Sequence, residues 1–229
     1  PRRLTGQSFD GIPIGPVNPP GHGPVLPMRP AGAPWAIIQR IDRGDAGSLP
    51  GRIAAAIAGG AKGVDLVYAS SPAAYGRGLD PRLVPGLEGT ALVRLDAGLE
   101  TPRIARELGA SGIHLAYDPL ATLAATVGAG LDDESVAGIF AGLAAIVAEE
   151  EAATGFAADG RLWHNGGATE VQELAIALAS IVDSLRRLAR HGCPPRQAAR
   201  RLGVILAADA DQFLTLAKFR AMRLLLARL

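Results

Sequence analysis

Several groups of residues in this 229-residue chain are spaced so that they could act chemically. Asp209 and Asp211 stand two apart, with Asp183 elsewhere in the chain, and carboxylates of this kind can hold a metal ion. With no His or Cys beside them in sequence, the same pair reads as the start of a helix, where the macrodipole favours negative charge. Gly166-Gly167 and Gly128-Ala-Gly130 lie at strand or helix ends. The first pair precedes a helix, so its N–H groups could receive a phosphate, or its bareness could serve close backbone packing. Lys218, Arg220 and Arg223 follow one another at about a helical turn and read as a solvated face or a partner-facing one. Cys193, within Gly192-Cys193-Pro194-Pro195, reads as a bystander at a helix exit, and a single cysteine excludes an internal disulfide framework.

These residues must be positioned by the elements between them. Positions 1–34 are rich in Pro and Gly without periodicity, and proline fixes φ and removes a donor, so an extended arm is expected. From Trp35 onward, short apolar runs alternate with longer helical ones. Strands are expected at 36–41, 64–69, 91–95, 112–116, 161–164 and 204–207. Helices are expected at 49–60, 102–108, 119–126, 133–154, 169–191 and 211–228, the fourth and fifth being long. The helix at 133–154 begins beside Asp132 and Asp133, again where negative charge is favoured.

Strands alternating with helices at this spacing predict βαβ units and a parallel sheet with right-handed crossovers. Both an open doubly wound sheet and part of a (β/α)8 barrel fit the pattern, and six units fall two short of a closed barrel. At 48% hydrophobic the chain can bury a substantial core, and with 4% aromatics that core is small and aliphatic. A net charge of +1 gives no electrostatic case for a nucleic-acid or membrane-surface partner. Neither a secretory leader nor an apolar run of spanning length is apparent, so a cytoplasmic location is expected.

Two long segments go further. Asp159-Gly-Arg-Leu-Trp-His-Asn-Gly-Gly-Ala-Thr-Glu-Val-Gln-Glu-Leu-Ala-Ile-Ala-Leu-Ala179, and the run from Ala208 through Ala217-Lys-Phe-Arg-Ala221 to Leu229, resemble the fifth and sixth strand–helix units of the methylmalonyl-CoA mutase family. Phe9-Asp-Gly-Ile-Pro-Ile14 and Pro34-Trp35 to Gln39-Arg40 resemble its N-terminal arm and first barrel strand, and Asp118-Pro-Leu120 its non-catalytic subunit. The resemblance runs from near residue 9 to the end and is strongest over the last seventy residues. It implies a TIM-type (β/α)8 barrel, represented here by about six units over 35–229, preceded by the extended arm 1–34. In that family the CoA chain threads the barrel interior, and adenosylcobalamin caps the carboxyl ends of the strands.

Departures from the family's active pattern are concentrated where chemistry occurs. Laying Gly167-Ala168 on the family's Gly-Ala puts Leu162 in place of the histidine that hydrogen-bonds the substrate thioester. His164 falls two residues later, on the same face if this segment is a strand. At the usual rise it would lie about 6–7 Å away, too far to take over that bond. On the first strand, Ile38 replaces an arginine and Arg40 a tyrosine. The fourth strand lacks the family's Gln-Asn-Asp stretch, and no Asp-x-His-x-x-Gly stretch supplies an axial histidine to cobalt.

The resemblance therefore implies a non-catalytic small subunit that supports a catalytic partner isomerising methylmalonyl-CoA and succinyl-CoA, binding no cobalamin by itself. The partner would be that catalytic subunit, or a second copy in a homodimer. The alternatives are part of an active isomerase whose cobalamin domain lies outside this sequence, and an acyl-CoA binding protein. Arg40, Arg94 and His164 are the candidate substrate-binding residues, with Arg77 a further cation for the nucleotide phosphates.

Overall fold

A computed structural model describes residues 4–19, 21, 32–87, 90, 92–109, 112–126, 133–148 and 154–229. Gly128-Ala-Gly130, Asp132 and the stretch 149–153 of the expected long helix lie outside the described residues, as do Ala91 and most of the proline-rich run 20–31.

The described part begins with a small antiparallel hairpin, Gly6–Gln7 (β1) against Pro13–Ile14 (β2). Then come Ile38–Ile41 (β3), Leu49–Ala58 (α1), Gly63–Val67 (β4), Val93–Asp96 (β5), Thr101–Glu107 (α2), Ile113–Leu115 (β6) and Pro119–Ala125 (α3). The second half carries Asp133–Ala148 (α4), Phe156–Asp159 (β7), Arg161–Asn165 (α5), Glu170–Arg190 (α6), Pro195–Arg200 (α7), Leu202–Ile205 (β8) and Gln212–Leu226 (α8).

β3, β4, β5 and β6 form a parallel sheet in that order, and β7 and β8 pair in parallel. β7 lies beside β6: the Leu115 N–H donates to the Thr154 carbonyl at 3.2 Å and the Ala157 N–H to Tyr117 at 2.9 Å. The spatial order therefore follows the sequence, as consecutive βαβ units require. The arrangement is an α/β fold of parallel strands and helices. Closure into a barrel is not seen among the described residues, although Ile38 of β3 and Gly203–Ile205 of β8 line one cavity together.

The core is mostly aliphatic, as the composition predicts, with Tyr68, Tyr117, Phe140 and Phe156 buried in it as well. Every residue of β4 is buried, with Val64, Leu66 and Val67 at 0% exposure, and Leu95, Leu115, Ile104 and Leu143 close around it. The helices start where the sequence says they should. Pro50 and Pro102 stand in the first turns of α1 and α2, where a missing N–H costs nothing. Asp211 caps α8 through Leu214, which is the helix-start reading of the Asp209/Asp211 pair. Thr169 and Gln172 form a reciprocal capping box at the start of α6, and Arg187 and Arg190 lie in its last turn.

The fifth strand is corrected by the structure. Residues 161–164, expected as a strand, belong to α5, and the strand is β7, just upstream. The physical reason is local. Phe156-Ala-Ala-Asp159 is a buried run between Gly155 and Gly160, while the His164 N–H turns back to the Gly160 carbonyl at 3.0 Å. On a helix, Leu162 and His164 are about 200° apart, so the same-face argument fails. One smaller correction follows: β8 begins at Leu202 rather than 204.

Gly98 illustrates how tightly the carboxyl ends are packed. Its φ is +54°, and an added Cβ would lie 2.2 Å from the Ser70 carbonyl oxygen. Gly98→Ala is expected to lower unfolding free energy by about 2–4 kcal/mol, combining left-handed strain with an overpacked contact. A urea melt with an unchanged slope and a lower midpoint would check it.

Candidate functional site at the carboxyl ends of the strands

In parallel α/β folds, chemistry gathers at the carboxyl ends of the strands. Two polar clusters stand there, side by side. The first is buried and fully engaged. Asp96 ends β5, Asp159 ends β7, and Arg161 opens α5 two residues later. The Arg161 guanidinium donates to Asp159 at 2.5–3.0 Å and to Asp96 at 2.7 Å. Ser71 donates its hydroxyl to Asp96. Burial opposes the charge on Arg161, yet the two carboxylates more than offset it and raise its pKa. Burial also pushes Asp96 up, against the pull of Arg161.

Asp118, the N-cap of α3, ties this cluster to the rest of the face. It accepts from the Leu120 and Ala121 N–H groups, from the Asp159 N–H at 2.8 Å, and from the Ser180 hydroxyl at 3.0 and 3.1 Å. Burial raises its pKa in spite of those donors. Leu162 closes this cluster over a narrow space shared with Ser71, Asp96, Asp118 and Asp159.

The second cluster centres on Lys218, which is 2% exposed. Its ammonium meets Glu173 at 2.5 Å and also Glu170. The expectation of a solvated Lys218 is thereby corrected: two carboxylates from the first turn of α6 draw it inward, while Arg220 and Arg223 are exposed. Glu173 is wholly buried and also accepts the Ala207 N–H at 2.8 Å. Gly160 makes room for it, since a Cβ there would lie 2.5 Å from Glu173 Oε1.

His164 joins this second cluster. Its Nδ1 faces Glu173 Oε2 at 3.4 Å and its Nε2 faces Asp209 Oδ2 at 3.9 Å. Asp209 uses its other oxygen to accept the Asp211 N–H at 2.9 Å and the Thr215 hydroxyl at 3.1 Å. Those donors, the Asp211 N–H above all, hold the carboxyl below the usual range. A cavity of about 360 Å3 opens above His164, Glu170 and Asp209, bordered by the hairpin tip at Phe9 and Asp10. Asp10 accepts the Thr169 hydroxyl, so the hairpin is pinned to the start of α6.

The other sequence candidates lie apart from this cavity. Arg94 points from β5 to Asp65 of β4, forming a two-pronged pair at 2.9 and 2.6 Å. Burial opposes its charge and Asp65 overcomes it, so its pKa is raised. Arg40 donates to Asp42 at 3.0 Å and to the Ala73 carbonyl at 2.9 Å. Arg77 is exposed. Arg94 and His164 are thus not brought together, and both Arg40 and Arg94 are engaged within the chain.

Arg94 shares a cavity of about 180 Å3 with His114, Ile38, Ala157 and Gly203. Burial there, with Arg94 nearby, lowers the His114 pKa from its ordinary 6.5. A depressed folded-state value means the unfolded chain binds the proton more readily, so the stability His114 allows is present above pH 6.5 and lost as pH falls. His114→Gln is expected to lose less stability than the parent between about pH 7.5 and 5.5, as read from urea midpoints at both.

Sequence reasoning misses Glu170, Glu173, Asp96, Arg161 and Tyr75. A signal for Glu173 is present: it repeats with Ala177, Ser180, Ser184 and Leu188 at helical spacing, on the buried stripe of α6. Tyr75 adopts φ +50° and accepts a bond from the Asn165 amide at 2.5 Å, a conformation no sequence pattern announces.

The fold and the clusters define a parallel α/β protein whose polar groups collect at the carboxyl ends of its strands. Residues 147–229 match the family model for methylmalonyl-CoA mutase. The chain is 34% identical over 194 residues to the probable methylmalonyl-CoA mutase small subunit of Mycobacterium bovis, covering 84% of this chain and 28% of that protein. It is 38% identical over 148 residues to the small subunit of Streptomyces virginiae, covering 59% and 23% respectively. A 65-residue stretch is 40% identical to the small subunit of Propionibacterium freudenreichii subsp. shermanii, covering 28% of this chain and 10% of that protein. Over these stretches the chain is similar to methylmalonyl-CoA mutase small subunits, and it spans about 28% of the length of the first of these relatives.

Among the described residues, no histidine stands as a fitting ligand for that family's cofactor. His164 is directed at Glu173 and Asp209, His114 lies within the sheet cavity, and His191 caps the end of α6. None of them stands in an Asp-x-His-x-x-Gly stretch. No helix among the described residues is long and apolar enough to cross a membrane.

Proposed function

We propose that this chain is part of a non-catalytic mutase subunit, with 35–229 a substrate-domain-like partial barrel and 1–34 its arm, supporting a catalytic adenosylcobalamin-dependent subunit that isomerises methylmalonyl-CoA and succinyl-CoA. The observation that carries this reading is Leu162. By the resemblance it stands where the family has its thioester-binding histidine, and its aliphatic side chain lines the space beside Asp96, Asp118 and Asp159. An aliphatic group cannot donate a hydrogen bond to a carbonyl, so polarisation of the thioester is absent at that point. His164, turned toward Glu173 and Asp209, does not replace it.

The engagement of the arginines supports the same conclusion. A cation already bound by two prongs to a carboxylate, as Arg94 is, has little left to offer a phosphate. Among the proposed substrate contacts, Arg40 and Arg94 are both committed within the fold.

An acyl-CoA binding role is the second reading, favoured by the cavity between Arg94, His114 and Gly203. Mutase turnover is the deciding measurement. The purified chain is assayed with adenosylcobalamin and methylmalonyl-CoA, alone and with a catalytic large subunit. No turnover alone, with a stable complex, is expected; turnover by this chain alone would overturn the proposal. Calorimetric titration with methylmalonyl-CoA separates the second reading, which requires saturable binding by the isolated chain.

A further inference from the structure

We propose that His164, Glu170 and Asp209 form a binding site for a single divalent transition-metal ion, of the zinc or cobalt kind, in the cavity under the N-terminal hairpin. The inference is independent of the mutase-subunit reading. It rests on how these side chains are held rather than on any family property.

Each of the three residues offers one ligand atom, and those atoms lie within 4.8 Å of one another. They come from α5, the first turn of α6 and the loop after β8, so three separate elements converge on one point. His164 Nε2 and Asp209 Oδ2 are 3.9 Å apart. An ion about 2.0–2.1 Å from each fits between them with little movement. Asp209 is already oriented to bind, because Oδ1 is consumed by the Asp211 N–H and the Thr215 hydroxyl, leaving Oδ2 toward the imidazole.

The far side of the imidazole supplies a second, independent observation. His164 Nδ1 is buried and makes no hydrogen bond, yet Glu173 Oε2 stands only 3.4 Å away. Carboxylates in that position orient metal-binding histidines, because an Nδ1–H bonded behind leaves Nε2 as the lone pair in front. Glu173 is itself fixed by Lys218, the Ala207 N–H and the bare backbone of Gly160. The supporting group is therefore already in place, and only a small turn of the ring completes the bond.

Charge balance favours a cation as well. Glu170, Glu173 and Asp209 outnumber the one ammonium of Lys218, so the cluster carries two negative charges in excess, which a divalent ion neutralises. Lys218 repels such an ion, but its charge is already paired with Glu173 and Glu170. The mixed nitrogen and oxygen donors suit borderline transition metals better than calcium or magnesium. The cavity of about 360 Å3 leaves space for water or a ligand at the remaining positions.

The test uses the purified chain freed of metal with a chelator. Zinc is titrated by calorimetry, and cobalt(II) by its visible absorption, which reports a low-symmetry nitrogen–oxygen site. One equivalent is expected to bind, and His164→Ala and Asp209→Asn should each weaken binding by at least about tenfold. His191→Ala, on an exposed residue at the opposite end of α6, should leave it unchanged. Thermal unfolding of each variant confirms folding, and Asp209→Asn alone decides if the histidine variant does not fold. Absence of saturable binding below about 100 µM, roughly 5.5 kcal/mol of affinity, overturns the proposal. Binding that survives Asp209→Asn unweakened, or that disappears in His191→Ala, overturns it too.

Discussion

Lys218→Met is expected to lower the stability of this chain by about 3–5 kcal/mol, to be read as a shift in the urea midpoint at neutral pH. The size follows from what is left behind. Lys218 and Glu173 have side chains at 0% exposure, so removing the ammonium strands a carboxylate in the interior. Glu170, at 17%, can turn toward the cavity, but Glu173 is packed against Gly160 and cannot. A Lys218→Met, Glu173→Gln double variant should therefore recover a substantial part of the loss, since a neutral amide can still accept the Ala207 N–H.

The pH dependence of that pair has a definite sign. Burial alone would depress the lysine, but Glu170 and Glu173 more than offset it and raise its pKa above 10.5. A raised folded-state value gives stability that is whole below about pH 10.5 and lost only as pH climbs through the folded value. The lysine pair is thus fully effective at neutral pH, and the variant's deficit should narrow in strong alkali.

Arg161→Met is the second large effect, again about 3–5 kcal/mol. The guanidinium spans Asp96 and Asp159, carboxylates that end different strands, and its loss leaves two negative charges close together. Arg161→Lys is not expected to rescue it, because one ammonium cannot bond both carboxylates along the planar fork that arginine provides. Acid should rescue it in part. Burial already raises Asp96 while Arg161 opposes that rise, so without the arginine the carboxyl protonates more readily still. A raised carboxyl value favours the folded state at low pH, so the deficit relative to the parent should be smaller at about pH 5 than at about pH 8. A deficit independent of pH would show that lost packing, not charge, is responsible.

Both residues show what the sequence can and cannot disclose. Alternating apolar runs and helix starts announce a parallel α/β fold, because period and capping are local properties written in adjacent residues. Thr169 with Gln172, and Asp211 with Leu214, form caps for that reason. The fifth strand escapes the same reasoning because Phe156–Asp159 is only four residues long, bounded by glycines, and too short for its period to be told from the end of a helix. The aligned motif, ending in Gly167-Ala168, then pulls the expected strand to the following residues.

The site is less legible than the fold. His164 stands out as a polar residue of interest, but its partners Glu173 and Asp209 are 9 and 45 positions away and meet it only through the packing of α5, α6 and the loop after β8. Lys218 reads as solvated because a lone lysine on a helix usually is. Its burial depends on carboxylates in another helix, which no local pattern reveals. The stripe of Glu173, Ser180 and Ser184 along the inner side of α6 is the one available hint, since polar residues at core spacing demand internal partners.

The bond between Asp10 and Thr169 joins positions 159 apart in the chain, and it holds a hairpin whose strands have two residues each. Such a hairpin has too little buried surface to persist by itself, and Phe9 at its tip is fully exposed. Its detachment breaks few contacts, so it opens at a small fraction of the cost of global unfolding, and it reforms last when the chain folds. Solvent and solutes therefore reach the space above His164 by a brief local excursion, orders of magnitude more often than the core beneath it comes apart.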